Sequence, residues 1–214
     1  MRLDPDGARL FPAAFGSAEV AALRNLFSGR AASARLGRTP GLAPLLAPAD
    51  ALARRLLGPA ARPVSAKFFD KSPARNWSLA WHQDRTIAVA ARVEVPGFTD
   101  WTVKSGIPHC VPPFPYLERS LALRVHLDDA GEANAPLLVA PGSHRLGRIA
   151  EAAIPAAVAR CGTWTCHASS GDVWAYATPI LHASAAAAQP RRRRVLQLLY
   201  SADELPPPLQ WMGI

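Results

Sequence analysis

The chemistry on offer in this 214-residue chain gathers around two of its six histidines. In Trp81-His82-Gln83-Asp84 an imidazole and a carboxylate stand two residues apart. On a β-strand, positions i and i+2 face the same side, so His82 and Asp84 would project together. A second imidazole, His182, lies far downstream in Thr178-Pro179-Ile180-Leu181-His182-Ala183-Ser184. Two imidazoles and one carboxylate on one face of an octahedron leave three positions open, the facial set of non-haem Fe(II). The same residues would also serve plainer ends: a His–Asp hydrogen bond at a strand end, and a satisfied histidine in a half-buried strand. His109, His126, His144 and His167 show that imidazole is not scarce here.

A second feature is the run Arg191-Arg192-Arg193-Arg194, which turns directly into Val195-Leu196-Gln197-Leu198-Leu199-Tyr200. If this is a core strand, an arginine near its start points inward. A buried guanidinium needs a fixed anionic partner. A small dicarboxylate held at the metal would supply one, gripped bidentately. Alternation sends neighbouring arginines to opposite faces, so at least two of the four belong to a solvated basic cluster. Lys67, Lys71, Trp101, Lys104 and Arg124 are further candidates for a pocket or rim that meets an anionic group; ordinary surface charge and core packing are their plainer uses.

The elements that must position these groups fall into two parts. Residues 1–61 read as helical. Ser17 can cap a helix carrying Val20, Leu23, Leu26 and Phe27, with Gly29 as its stop. A second helix starts near Pro48 and ends at Gly58. From Arg62 to the end, short aliphatic and aromatic runs are bounded by Pro, Gly, Asp or Ser. Strands are expected over 63–70, 79–84, 86–94, 120–127, 136–140, 162–167, 172–177 and 194–201. A Pro-rich loop is expected from Pro96 to Pro115 and a short helix over 148–160. Short strands with irregular connections predict a mainly β fold, a double-sheet jelly roll with the N-terminal helices on one outer face, within a single domain over 1–214.

Composition narrows the function classes. Half of the residues are hydrophobic and 19% are charged, enough to bury a core. The 21 prolines argue against a helical bundle. The net charge of +8 raises nucleic acid as a partner, but the arginines are scattered and lack interleaved aromatics, so no specific nucleic acid is expected. Cys110, Cys161 and Cys166 form no disulfide framework and lack CxxC spacing, which predicts reduced thiols and a cytoplasmic setting. No signal peptide and no membrane-spanning run are read.

Taken in order, a series of segments resembles the phytanoyl-CoA dioxygenase family, a branch of the Fe(II)/2-oxoglutarate-dependent oxygenases. The resemblance runs from Lys67 to Trp211. It is carried by Phe69-Asp70-Lys71-Ser72-Pro73, Asn76-Trp77, Trp81-His82-Gln83-Asp84, Leu127-Asp128-Asp129 and Asn134-Ala135-Pro136-Leu137. It continues in Pro141-Gly142-Ser143-His144, Gly171-Asp172-Val173, Leu181-His182-Ala183-Ser184 and Arg193-Arg194-Val195-Leu196. The resemblance implies a double-stranded β-helix with iron on His82, Asp84 and His182. It implies that Arg193 holds the far carboxylate of 2-oxoglutarate with help from Ser184; Arg191 shares its parity and is the alternative. Fe(II), 2-oxoglutarate and O2 are the implied cofactor and cosubstrates, with succinate released and a C–H bond of a small molecule hydroxylated. Halogenating relatives carry a small residue at the carboxylate position, so Asp84 favours hydroxylation. A non-catalytic metal- or effector-binding member of the same fold is the alternative.

Three departures stand out. The family often has glycine at Ala135, the chain is short, and the alanine run Ala185 to Ala188 replaces a more polar stretch. Gly142 and Ser143 are expected to be structural, and His144 is not expected to be a ligand.

Overall fold

Four neighbouring segments, Arg62–Lys71 (β3), Leu121–His126 (β8), Val173–Ala177 (β11) and Arg193–Ser201 (β13), alternate so as to give one sheet two unlike faces. The computed structural model describes Leu3 and residues 5–214; Met1, Arg2 and Asp4, at the head of the N-terminal part, lie outside the described residues. The sheet runs β1-β11-β8-β13-β3-β2, with Ala8–Phe11 (β1) and Ser33–Leu36 (β2) at its edges and every pairing antiparallel. On its outer face Ala66, Phe68, Leu121, Leu123, Val125, Val173, Ala175, Leu196 and Leu198 join the main apolar core. That face is covered by two helices, Ser17–Leu26 (α1) and Ala47–Leu57 (α2), whose Val20, Leu23, Ala49, Ala53 and Leu56 are buried against it. Phe27, just past α1, stacks on Phe68 with ring centroids 4.5 Å apart.

The inner face meets a second, four-stranded sheet in the order β10-β9-β12-β4, built from Trp164–Cys166, Leu137–Val139, His182–Ser184 and Leu79–His82. Ala122 and Tyr176 of the larger sheet pack there on Leu137, Val139 and Cys166 of the smaller one. The result is the expected jelly roll. A third sheet, Ile87–Ala88 (β5), Ile107–Val111 (β7) and Thr99–Lys104 (β6), packs its own small core with Leu117, Leu205 and Leu209.

Several local expectations change. The stretch from Pro96 to Pro115 is not a loop throughout, because it contains the β6–β7 hairpin. Its two-residue turn, Ser105-Gly106, has φ of 54° and 76°, the doubly positive geometry that matches strand twist. A serine in the first position hides that signal. The strand expected over 86–94 shortens to β5. The helix expected over 148–160 begins later, as Ile154–Cys161 (α4) with a 3-10 turn before it, and Phe114–Glu118 forms a further short helix (α3). Ser17 is the first helical residue rather than the cap; Gly16 precedes it with no capping side chain. The first sixty residues also supply β1 and β2, which complete the larger sheet. No helix among the described residues is long and apolar enough to cross a membrane.

Candidate active site

β4 and β12 lie side by side, and their register sets His182 opposite His82. A cross-strand pair places two side chains on one face within reach of each other. The rings accordingly sit 4.2 Å apart at their centroids. Asp84, just beyond the end of β4, returns to the same face. One donor atom from each of His82, Asp84 and His182 lies within 4.8 Å of the others.

The backbone fixes which nitrogens are free. His82 Nδ1 lies 2.8 Å from the carbonyl of Ala80, and His182 Nδ1 lies 3.0 Å from that of Ile180. A carbonyl only accepts, so both Nδ1 atoms carry the proton and both Nε2 lone pairs are left for a metal. Gln83, between the two candidate ligands, points the other way. Its amide donates to Gly147 and Pro179 carbonyls at 3.0 and 2.7 Å, and its oxygen accepts from Ile149 N at 2.9 Å. Ser143 Oγ accepts from Leu181 N at 2.9 Å, which steadies the residue before His182. Gly142 and Ser143 therefore shape the turn, as expected, and His144 lies outside the cluster.

The surroundings set the protonation state of the cluster. Burial pushes the Asp84 carboxyl up, but Lys67, His182, His82 and Lys104 outweigh it and hold the group well below the usual range. Lys67 Nζ is 3.7 Å from Asp84 Oδ1. Burial pushes His182 down to about 4, against the pull of Asp84, so the imidazole is neutral at pH 7. An ionised carboxylate and a neutral imidazole with its Nε2 lone pair free are the forms a divalent ion takes.

Beside the triad, the inner face of the larger sheet carries cations. One line of register crosses it from Arg35 through Lys67 and Gln197 to Arg124; another pairs Lys71 with Arg193. Arg193 is only 2% exposed, and its Nε and Nη1 have no hydrogen-bond partner among the described residues. Burial, then the charge of Arg124, pushes it down to about 9. Lys71 donates to Trp77 O at 2.6 Å, Ser184 Oγ at 3.1 Å and Ala185 O at 3.2 Å. Burial first, then Arg193 and Arg124, lowers it to about 8. A cavity of about 60 Å³ joins Arg193, Lys71, Arg124 and Ser184 to His82, Asp84 and His182.

The arginine run resolves as alternation requires. Arg192 pairs with Asp70 at 2.9 Å, and Arg194 with Asp128 at 2.8 Å. Asp128 also accepts from Arg194 N at 2.8 Å and Arg24 Nη2 at 3.0 Å, so Leu127-Asp128-Asp129 pins the strand that sends Arg193 inward. Arg191 is exposed and does not line the cavity. Lys67, Lys71 and Arg124 do line it, while Lys104 faces a larger neighbouring cavity. Trp101 does neither; it packs beside Phe98 and Leu117 in a separate core. Arg35 and Gln197 escaped the sequence reading. Their signal was parity with Lys67 across neighbouring strands, which needs the register to be known.

Ala135, where glycine is common in the family, has φ of 50°, the left-handed region that glycine enters freely. The Asn76 side-chain amide clamps the backbone of Ala187, accepting from Ala187 N at 2.7 Å and donating to Ala187 O at 2.9 Å, which ties the alanine run to the Asn76-Trp77 segment.

A family model described as phytanoyl-CoA dioxygenase (PhyH) matches residues 43–195. Among solved structures, EctD from S. alaskensis in its apoform superposes with a TM-score of 0.71 at 22% identity, covering 99% of this chain and 78% of EctD. EctD has also been solved with bound Fe and with 2-oxoglutarate and 5-hydroxyectoine. AviO1 from Streptomyces viridochromogenes Tue57 gives 0.67 at 22% identity, covering 94% and 92%. The non-heme alpha ketoglutarate dependent carbocyclase SnoK from nogalamycin biosynthesis gives 0.68 at 18%, covering 98% and 84%. At these identities the likeness is one of fold. No curated protein matches the sequence.

Proposed function

The chain belongs to the phytanoyl-CoA dioxygenase family, and from that premise we propose that it is an Fe(II)/2-oxoglutarate-dependent dioxygenase that hydroxylates a C–H bond of a small molecule. The observation that carries the reading is the convergence of His82, Asp84 and His182 beside a buried arginine with unpartnered nitrogens. The residues fit the absent groups. Two free Nε2 atoms and one carboxylate suit a ferrous ion and leave room for a chelating cosubstrate. The orphaned Nε and Nη1 of Arg193 suit a carboxylate, because a buried guanidinium without a partner is costly.

In this reading His82, Asp84 and His182 hold the iron. Arg193 grips the far carboxylate of 2-oxoglutarate. Ser184 Oγ, with Lys71 donating to it, assists that grip. When bound, iron and 2-oxoglutarate supply O2-dependent decarboxylation to succinate coupled to oxidation of the neighbouring substrate. The protein's part is orientation: the Ala80 and Ile180 carbonyls fix the imidazoles, and Asp128 and Asp70 turn the outer arginines away so that Arg193 faces in. Asp84 occupies the position at which a small residue would admit halide, which favours hydroxylation over halogenation.

Residues 1–214 act as one domain, supported by β1 and β2 completing the larger sheet; residues 1–61 are its mainly helical part and 62–214 its jelly-roll core. The three free cysteines fit a cytoplasmic setting. The test is anaerobic addition of Fe(II) and then 2-oxoglutarate. A visible charge-transfer band that needs both is expected, and its absence at saturating concentrations rejects the reading. Product carrying one oxygen from ¹⁸O2 separates hydroxylation from other outcomes.

A further inference from the structure

A second cavity, of about 780 Å³, opens beside the triad. Its lining mixes two chemistries: Phe69, Trp77, Leu79, Trp81, Ile154 and Pro155 are apolar, while Arg35, Lys67 and Lys104 are cationic. The charges there do not balance. Arg85 is paired with Glu151 at 3.3 Å, and Lys67 with Asp84 at 3.7 Å. Among the described residues Arg35 makes no ion pair, and its buried Nε has no hydrogen-bond partner. Lys104 donates to the Thr86 hydroxyl at 3.1 Å and otherwise feels the Asp84 carboxylate, which Lys67 already pairs. Arg35 and Lys67 face each other across β2 and β3, and burial together with these two cations lowers Lys104 against the pull of Asp84. Once Asp84 is committed to a metal, Lys67 loses part of its compensation as well.

Like charges gathered in a partly buried wall are unfavourable unless an anion joins them. We infer that the substrate carries an oxyanion head group, a carboxylate or a phosphate, held by Arg35 and Lys104 beside Lys67, with an apolar body lying against Phe69, Trp77 and Trp81. This rests on the oxygenase reading, since it takes the larger cavity as the substrate's. The head-group site is separate from the Arg193 end, which the cosubstrate fills. Two anions then flank one metal, with Lys67 between them lining both cavities.

The test uses the full chain and a matched pair of fluorescent probes, 8-anilino-1-naphthalenesulfonate and its neutral counterpart N-phenyl-1-naphthylamine. The acidic probe is expected to bind about tenfold tighter or more, the scale of one charged hydrogen bond. Arg35→Gln and Lys104→Met should each remove most of that preference, while Arg30→Gln, on the exposed surface, keeps it. Displacement of the probe by decanoate or decyl phosphate, but not by decanol, supports the head-group site and tells which oxyanion it prefers. Equal affinity for the two probes, a preference that survives the Arg35→Gln/Lys104→Met double variant, or displacement by decanol as readily as by the acids overturns the inference. The charge-transfer band is measured in parallel. Its presence without probe selectivity sinks only the head-group site; its absence sinks the oxygenase reading while the probes still judge the pocket.

Discussion

The two faces of the six-stranded sheet come from the same strands, and they are opposites. Outward, Phe68, Leu123, Val125, Leu196 and Leu198 are buried under α1 and α2. Inward, Lys67, Lys71, Arg124, Gln197 and Arg193 take the alternate positions of the same strands. The outer face gains stability by hiding apolar surface. The inner face surrenders some by holding cations out of water with too few anions. A protein keeps such a face when a ligand completes it, so the sheet separates a stability side from a binding side by parity alone.

Asp84→Ala probes that division most severely, because Asp84 is the carboxylate that meets the cationic face. Turnover should vanish and iron binding weaken strongly, read by succinate release and by Fe(II) titration; unchanged turnover would remove Asp84 from the ligand set. Arg193→Met should separate binding from stability. Loss of one partner of a buried pair costs roughly 3–5 kcal/mol, so the 2-oxoglutarate requirement should rise by orders of magnitude. Without 2-oxoglutarate, thermal stability should hold or rise, since an apolar group there removes an uncompensated buried charge and its desolvation cost. A normal 2-oxoglutarate saturation curve would move the grip elsewhere. Phe68→Ala, on the outer face, should do the reverse. It should cost about 3–5 kcal/mol in denaturant unfolding while the surviving folded fraction binds 2-oxoglutarate normally.

A pH series sharpens the comparison further. Lys71 falls to about 8 in the fold, from 10.5. Between those values the unfolded chain holds a proton that the folded one has lost, so this group makes stability rise with pH across that window. Affinity for 2-oxoglutarate should fall over the same range, and binding near pH 8 to 9 should take up a proton. Calorimetry in buffers of different ionisation enthalpy measures that uptake. The smallest effect belongs to Ala135→Gly. Relief of the left-handed strain, about 1 kcal/mol or more, is partly offset by the greater freedom of glycine when unfolded. A gain within about 1 kcal/mol is expected in denaturant midpoints.

Much of the site was legible because its signals are local. His82 and Asp84 are two apart, Gln83 between them takes the opposite side, and the arginine run had to send one member inward. The hairpin hidden between Pro96 and Pro115 was not legible, since Ser105 disguises a turn that glycine or asparagine would have announced. Neither was β2, a four-residue edge strand whose place depends on β3 beside it. Arg35 was missed with it.

Sequence by itself determined the donor types, the alternation that separates inward from outward side chains, and the jelly-roll class. These follow from chemistry and from the two-residue period of a strand, which every strand carries within itself. Tertiary structure decided that His182 stands opposite His82, that Arg35 joins Lys67 in one row, and that Trp101 belongs to a separate core. Such facts depend on which strands become neighbours and in what register, and pairing between distant segments is set by the packing of the whole chain rather than by any one stretch of it.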